Sequence, residues 1–480
     1  MEISDVSFSP KSMVDDFGRV FFFQGKVYRA IFPANENYCH QLLNSPLFIE
    51  LQEKGLIPDT KISDLKLTDY NLILEHEKLV EIQQHEWSFE MFKSAALMVL
   101  NVNNICNKYG YELKDAHTFN VLFRGVNPVW VDLGSIAPIR RKNEWIAYDE
   151  FLSVFYLPIQ FYLQNDNYIV RKLVESNFYR MQTAPFQQLW DSGLINLLQK
   201  KPFFYQLYFR NILLKVSDRY NSHVNRFVRR FNKYYHKLFN KPAKLFVYRK
   251  KTRNVAEITS YLKHSELTPM ISQWSNYHKS NYELNGEVVV SDRFKRLIEL
   301  LTNYCSDAKS SIDLAGNEGF FSSLLLQNTR LEKVLLTDYD ANAIDVAFKT
   351  FEQRPDNRAS VALLNFIFTP ALKETTTRFK SDIVIALAVT HHLILTQQFA
   401  IQTIFERLKL YSNKYVVVEF MPLGLWSIHT KEGSVVPDWY NQKWFEMNFN
   451  KYFTLLHVEQ LEENRIVYIG CLKSLLYETV

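Results

Sequence analysis

The sequence predicts an α/β protein in two halves. The C-terminal half reads as a mainly parallel sheet wound with helices and finished by an antiparallel hairpin. The N-terminal half reads as an α+β region. Three observations carry this. Between 310 and 420, short apolar runs alternate with helix-length stretches, the pattern of βαβ units. Two β-rich runs separated by four residues, Leu461–Asn464, follow near the end of the chain, close enough to pair as a hairpin. The first half instead holds strand-like aromatic runs and one long amphipathic helix.

Taken in order, Arg19–Phe32 contains strand-like runs broken by the polar Gln24–Lys26. Glu90–Tyr109 is a helix, with Met91, Ala95, Leu97, Val99, Leu100, Val102 and Ile105 as its apolar positions. Asp115–Ser135 reads as a loop, a strand (Val121–Arg124), a turn at Gly125–Pro128 and a strand (Val129–Val131). Residues 149–253 are aromatic-rich and mostly helical in pattern, and the boundary between halves falls in 254–285, before a helix at Asp292–Tyr304. The C-terminal strands are Ser310–Leu314, Leu331–Thr337, Val361–Leu364, Asp382–Ala388, Lys414–Phe420, Phe453–Gln460 and Arg465–Leu472. Helices are expected at Phe320–Asn328, Ala341–Glu352 and Gln397–Tyr411.

Composition narrows the function classes. A chain of 480 residues suggests roughly two to four domains. Hydrophobic residues at 47% and charged residues at 22% exclude disorder for most of the chain, and 13 Gly with 15 Pro exclude collagen-like or low-complexity readings. Four scattered cysteines, Cys39, Cys106, Cys305 and Cys471, make neither a disulfide framework nor a zinc site, which fits a reducing cytosol. Met1–Pro10 has no signal-peptide pattern, and no apolar run is long enough to predict a membrane-spanning helix. Net charge is +5, but residues 219–253 hold twelve Lys or Arg and no acid.

The strongest chemical signal is Asp313-Leu314-Ala315-Gly316-Asn317-Glu318-Gly319, between a strand and a helix. Small residues in a βα turn let a ligand approach the backbone, and the helix beyond offers free N–H groups. Asp338 stands 25 residues after Asp313, at the end of the next strand, where an acid can accept both hydroxyls of a ribose. No GxGxxG seats a diphosphate, and Asp313 would repel one. An acid at each of the two strand ends suits a ligand with an ammonium group, a ribose and no phosphate, such as S-adenosylmethionine (SAM).

On these residues, 310–473 resembles a class I SAM-dependent methyltransferase. DLAGNEGFFS (313–322) resembles its first motif, TDYD (337–340) its second-strand acid, DIVIALAVTHHL (382–393) its fourth-strand segment and EFMPLG (419–424) the end of its fifth strand. The resemblance implies a Rossmann-like seven-stranded sheet with an antiparallel end hairpin. It implies SAM contacts from Asp313, Ala315, Gly316, Asn317, Gly319, Phe320, Asp338, Tyr339, Asn365, Ala386 and Leu387. Ala315 stands where the family usually has glycine, with Gly316 beside it to compensate, and Asn365 stands where an adenine-contacting acid is common. Methyl transfer needs alignment and a free lone pair, and no metal. For a hydroxyl nucleophile a base is needed, and His391, His392 and Glu419 are the candidates at strand ends. The two histidines can equally cap a helix, and Glu419 can equally cap a loop.

Upstream, Asp115 and Asn120 are five apart, and Asp132-Leu133-Gly134 follows twelve residues after Asn120. This resembles the catalytic loop and metal-binding motif of protein kinases, in which such residues handle ATP and Mg²⁺. The departures are equally plain. No glycine-rich phosphate loop precedes residue 30, Leu113 replaces the usual histidine, and only Lys26 or Arg29 stands in for the strand lysine. A plain β-hairpin with hydrogen-bonded Asp and Asn fits the same residues. Domains are therefore expected at 1–145 (kinase-like core), 146–255 (its helical, basic extension) and 256–480 (methyltransferase). The similar bacterial subgroup implies nodulation-factor, capsule or surface-polysaccharide chemistry.

Within 219–253, Arg226, Arg229, Arg230, Lys233 and Lys237 interleave with Val224, Phe227, Val228, Phe231, Tyr234 and Leu238 as an amphipathic helix. A solvated basic face, an anionic membrane surface and an anionic substrate are the readings, and no nucleic-acid reader module is visible. Three functions follow as expectations. One is a cytoplasmic or membrane-peripheral methyltransferase acting on a hydroxyl of a glycan or related small molecule. The others are a bifunctional kinase–methyltransferase, and a SAM-binding scaffold that serves a protein partner.

Overall fold

The computed structural model describes residues 6–141, 144–164, 255–267, 290–354, 356–427 and 435–473, with short strands at 283–284, 287–288 and 432–433. The basic segment 219–253 lies outside the described residues. The chain divides into two compact units: residues 1–98, 119–134 and 268–480 form the first, and 99–118 with 135–267 form the second.

The first unit begins with a five-stranded antiparallel sheet, β1 (Ser7–Phe8), β2 (Gly18–Phe23), β3 (Lys26–Ile31), β4 (Thr60–Ile62) and β5 (Leu72–His76), in the order β1-β2-β3-β5-β4. The polar break between β2 and β3 is a two-residue turn. Gln24 and Gly25 take φ of 48° and 77°, the left-handed pair that suits a tight hairpin. Helices α1 (Glu36–Leu43) and α2 (Pro46–Glu53) follow β3. Ser45 caps α2 by accepting the Phe48 amide, and Pro46 opens it where no N–H is needed. Helix α3 (Phe89–Lys108) starts in this unit.

In the second unit, β6 (Tyr111–Leu113) pairs with β9 (Ile136–Pro138), while in the first unit β7 (Val121–Arg124) and β8 (Asn127–Trp130) form a hairpin. The second unit also holds α4 (Tyr148–Phe151), α5 (Leu157–Gln164) and α6 (Val255–Lys263), with the Trp145 indole donating to the Leu113 carbonyl at 2.7 Å.

The larger sheet lies in the first unit. A small pair, β10 (Glu283–Leu284) and β11 (Glu287–Val288), precedes α7 (Asp292–Tyr304). Then come β12 (Ser310–Leu314), α8 (Phe320–Asn328), β13 (Lys333–Asp338), α9 (Ala341–Gln353), β14 (Ala359–Leu363), α10 (Leu372–Phe379), β15 (Ser381–Ala386), α11 (Ile401–Tyr411) and β16 (Ser412–Phe420). The pair β17 (Trp426–Ser427) and β18 (Glu432–Gly433), α12 (Gln442–Tyr452) and the hairpin β19 (Phe453–Glu462) and β20 (Arg465–Leu472) complete it. The order is β14-β13-β12-β15-β16-β20-β19; the first five strands run parallel, and β20 is antiparallel to both its neighbours. Apolar, covered runs such as Val416–Val418 suit central strands under helices on both faces. The edge strand β19 alternates between covered and open positions instead.

Seven strands thus stand as expected, β12 and β20 with the expected ends and the other five with shifted ones. Leu331 is a loop residue rather than the start of β13, because β13 pairs with β12 only from Lys333. The expected helix at Gln397–Tyr411 begins at Ile401.

The N-terminal sheet region and the large sheet belong to one compact unit, and named contacts tie them. The Arg378 guanidinium on α10 bonds both carboxylate oxygens of buried Glu86, at 2.6 and 2.9 Å. On α9, Asp345 accepts the Glu90 amide at 2.8 Å, and Lys349 pairs with the Glu90 carboxylate at 2.9 Å. The Phe123 and Phe348 rings meet edge-to-face.

Candidate functional site

The carboxyl ends of β12, β13, β15 and β16 fall on one edge of the sheet, fixed by the pairings Leu314–Thr337, Asp338–Leu363 and Ala386–Val418. That edge is where open α/β sheets hold ligands.

The loop after β12 is the tightest feature there. Ala315, Asn317 and Gly319 all take positive φ, of 57°, 54° and 81°. Gly316 contributes space rather than a left-handed backbone. A Cβ on it would fall 2.4 Å from Leu336 Cδ1 and 2.6 Å from Asp313 Oδ2. The expectation that Gly316 compensates for Ala315 is therefore corrected: Ala315 itself adopts the left-handed conformation, at a cost of roughly 1–2 kcal/mol for an L-residue.

Two acids close around this loop. Asp313 is buried and accepts the Ser322 hydroxyl at 2.8 Å. Asp338 accepts the amides of Asn317 at 2.9 Å and Asp340 at 2.8 Å. Burial pushes the Asp313 pKa up to about 7 against the pull of Ser322, and the Asp338 charge adds to the rise. Burial likewise raises Asp338 to about 6. Two acids held together with depressed acidity favour a cation between them. Phe320 packs on Phe294 of α7 at 5.3 Å between ring centres. Tyr339 is exposed beside Asp338. Asn365 spends its side-chain oxygen on the amides of Ile367 and Phe368, at 3.1 and 3.0 Å, so it caps a turn. Ala386 ends β15, and Leu387 begins the loop beyond.

That loop carries the two histidines. Ala388 takes φ of 50°, Thr390 donates to the Glu419 carbonyl at 2.8 Å, and a π-helical turn runs over His392–Thr396. Such turns recur at functional sites. The rings of His391 and His392 are 4.0 Å apart. Burial, then His392 and Arg465, drive the His391 pKa down to about 3, so its imidazole is neutral at working pH. His391 Nδ1 is buried and finds no hydrogen-bond partner among the described residues. Burial also lowers His392.

Glu419 is placed differently from an available base. Its carboxylate is fully buried, bonded by Arg293 Nε and Nη2 at 2.7 Å each and by Arg465 Nη1 at 3.0 Å. Burial pushes its pKa up, but the two guanidinium groups outweigh this and hold it below the usual range. A carboxylate so bound is a poor proton acceptor, and its geometry is that of a strut joining α7, β16 and β20. Sequence reasoning missed Arg293, Arg465, Ser322 and Thr390. Ser322 and Thr390 carried a signal, as the last residue of DLAGNEGFFS and as the residue before the histidines in DIVIALAVTHHL.

The upstream residues fall in separate units. In the first unit, Asp132 pairs with Arg29 at 3.1 Å and accepts the Gly134 amide at 3.1 Å, and the Asn120 carbonyl accepts the Val131 amide at 2.9 Å. In the second, Asp115 accepts the His117 amide at 2.7 Å, and neighbouring Glu150 accepts the Ala116 amide at 2.9 Å. Among the described residues, no helix is long and apolar enough to cross a membrane.

Strand order and pairing define a mixed α/β fold, parallel over five strands and finished by an antiparallel hairpin, with the 315–319 loop and two acids at its carboxyl edge. Solved structures with partial likeness to the chain include magnesium protoporphyrin IX methyltransferase (ChlM) from Synechocystis PCC 6803 with bound SAM. It is 10% identical with a TM-score of 0.30, over 43% of this chain and 100% of that one. A SAM-dependent methyltransferase from Clostridium acetobutylicum ATCC 824 is likewise 10% identical with a TM-score of 0.30, over 37% of this chain and 92% of that one. The chain is similar in sequence to nodulation protein NoeA of Rhizobium meliloti (strain 1021), 23% identical over 427 residues that span 86% of this chain and 84% of that protein. No protein-family model matches the sequence.

Proposed function

We propose that the protein is a SAM-dependent methyltransferase acting on a hydroxyl, or a similar nucleophile, of a glycan or related small molecule. The observation that carries the reading is the pairing of Asp313 and Asp338 around the 315–319 loop at the carboxyl edge of β12 and β13. The residues present fit the group. Two acids of raised pKa call for a cationic partner, the strained turn leaves no side chain at Gly316, and Asp338 stands where ribose hydroxyls are accepted.

In this reading SAM supplies an electrophilic methyl group whose bond electrons stay on sulfur as the acceptor oxygen attacks. Asp338 holds the ribose and Asp313 stabilises the positive end. Ala315, Asn317, Gly319, Phe320 and Tyr339 line the nucleoside, with Asn365, Ala386 and Leu387 at its flank. His391, a weak base with its pKa at about 3, accepts a hydrogen bond from the acceptor O–H and orients it, and the less buried His392 beside it takes the proton as the oxygen–methyl bond forms. Glu419 positions this loop through Thr390 rather than reacting. Most of the rate comes from proximity and orientation.

The N-terminal half carries a kinase-like arrangement in this proposal. The support is the chain order of α3, β6, a loop with Asp115 and Asn120, the hairpin β7–β8, and Asp132. Domains of 1–145, 146–255 and 256–480, a cytoplasmic setting and an anionic surface or substrate for 219–253 complete the reading. The name of the nodulation relative supports surface or signal carbohydrate chemistry.

The test is transfer of tritiated methyl from SAM into polar extract of the source cells. Label that enters a non-protein fraction with the unmodified chain, and not with Asp338→Ala, supports the proposal. A protein that binds SAM and labels nothing is instead a scaffold.

A further inference from the structure

In an active kinase a strand lysine meets the nucleotide phosphates, and the second conserved aspartate holds Mg²⁺. Lys26 is turned outward, with its side chain 56% exposed and paired with Glu75 at 3.0 Å. Arg29 is turned inward. Its Nη1 lies 3.1 Å from Asp132 Oδ1 and its Nη2 lies 3.1 Å from Asp15 Oδ2, so one guanidinium bridges two aspartates. The same Oδ1 of Asp132 also accepts the Gly134 amide at 3.1 Å.

The segment Asp15–Phe17 packs into the space beside this loop. Phe17 is buried, and a Cβ added to Gly134 would lie 2.6 Å from Phe17 Cβ. The Arg29 guanidinium also faces the Phe17 ring at 6.0 Å. The segment is anchored: the Phe32 amide donates to the Phe17 carbonyl at 3.1 Å, and the Asn35 side chain donates to Asp16 O at 2.7 Å. Asp15 Oδ1 in turn accepts the Phe17 amide at 2.8 Å. Asp132 Oδ1 is already taken by the Arg29 guanidinium and the Gly134 amide, so a divalent cation there would meet a fixed positive charge instead of a free carboxylate.

We infer that Arg29, with Asp15 and Phe17, stands in for the metal and nucleotide at Asp132, so that the kinase-like region is closed to Mg-ATP and serves as an ion-paired brace. This rests on the kinase-like reading and is independent of the methyltransferase site. Arginine suits the task because its planar fork holds two carboxylates at once and stays charged at any working pH.

The experiment is calorimetry of the full chain with Mg-ATP and Mn-ATP up to about 1 mM, the weak end of the affinity scale. Cooperative thermal unfolding serves as the control for folding, and SAM is titrated in parallel. No heat from either nucleotide, with a cooperatively folded chain, is the expected result. Nucleotide binding that disappears in Asp132→Asn or in Asn120→Ala overturns the inference. Binding that persists in both lies elsewhere and leaves the closed site standing. A double-mutant cycle supplies the positive readout. Arg29→Met and Asp132→Asn should each lower Tm, and the double variant should lose less than the sum. Strict additivity would also overturn the inference. Failure of SAM to bind touches only the methyltransferase proposal.

Discussion

Asp338 Oδ2 accepts the backbone amide of Asn317 at 2.9 Å, so the acid that ends β13 is tied to the loop that ends β12. Asp338 Oδ1 also accepts the amide of Asp340, the residue that caps α9, at 2.8 Å. One side chain thus ties the loop after β12 to the start of α9. Asp338→Ala is expected to weaken SAM binding by about 10- to 150-fold, the worth of one charge-assisted contact of about 1.5–3 kcal/mol. Asp338→Asn, which keeps one acceptor oxygen, should lose less. Isothermal calorimetry checks both, and an unchanged dissociation constant in the alanine variant removes Asp338 from the site.

The pH dependence follows from Asp313 at about 7 and Asp338 at about 6. Both lie above their unfolded value of 3.8, so the folded state holds these protons more tightly. Their burial penalty is absent below pH 3.8, grows as pH rises, and is complete above about 7. A cationic ligand needs the ionised forms. SAM affinity should therefore rise between pH 5.5 and 7.5 and then level off, by up to about tenfold per pH unit for each proton released. Dissociation constants measured across that range, flat or rising with pH, would speak against a cation held between these acids.

The strain at Ala315 gives a separate handle on the loop. Ala315→Gly should raise unfolding free energy by roughly 1 kcal/mol, since glycine takes φ of 57° without penalty, and should leave SAM affinity within about twofold. Gly316→Ala should do the opposite, because its Cβ meets Asp313 and Leu336 well inside contact distance. Urea unfolding of the two variants, read beside SAM binding, checks the pair. A destabilised Ala315→Gly would show that Ala315 carries no left-handed strain.

Sequence reasoning reached the large sheet because its strands are short apolar runs alternating with helix-length stretches, the local pattern of βαβ units. Ser310–Leu314, Phe320–Asn328 and Arg465–Leu472 have the ends expected of them. The placement of Asp313 and Asp338 at strand ends was legible because each closes a short apolar run ahead of a loop. Arg293 was not, because its partner Glu419 lies 126 residues away and nothing local marks an arginine near a helix start as buried. Glu419 was misjudged for the same reason: its position at a strand end is visible in sequence, whereas its two guanidinium partners come from other elements. Likewise Lys26 and Arg29 are three residues apart and so on opposite faces of β3, and only the packing of that strand decides which faces inward.

The Arg293–Glu419–Arg465 strut predicts stability rather than chemistry. Arg293→Met leaves a buried carboxylate short of a partner and should cost about 3–5 kcal/mol in urea unfolding. Its loss should not move the pH dependence of methyl transfer, as loss of a proton acceptor would. A variant as stable as the parent would mean that the strut does not hold α7 to the sheet.

The most direct measurement is calorimetric titration of the full chain with SAM and, separately, with S-adenosylhomocysteine. One site per chain, lost or strongly weakened in Asp338→Ala, is the expected result. A well-folded chain that gives no heat with either ligand at about 1 mM would contradict a nucleoside pocket between Asp313 and Asp338.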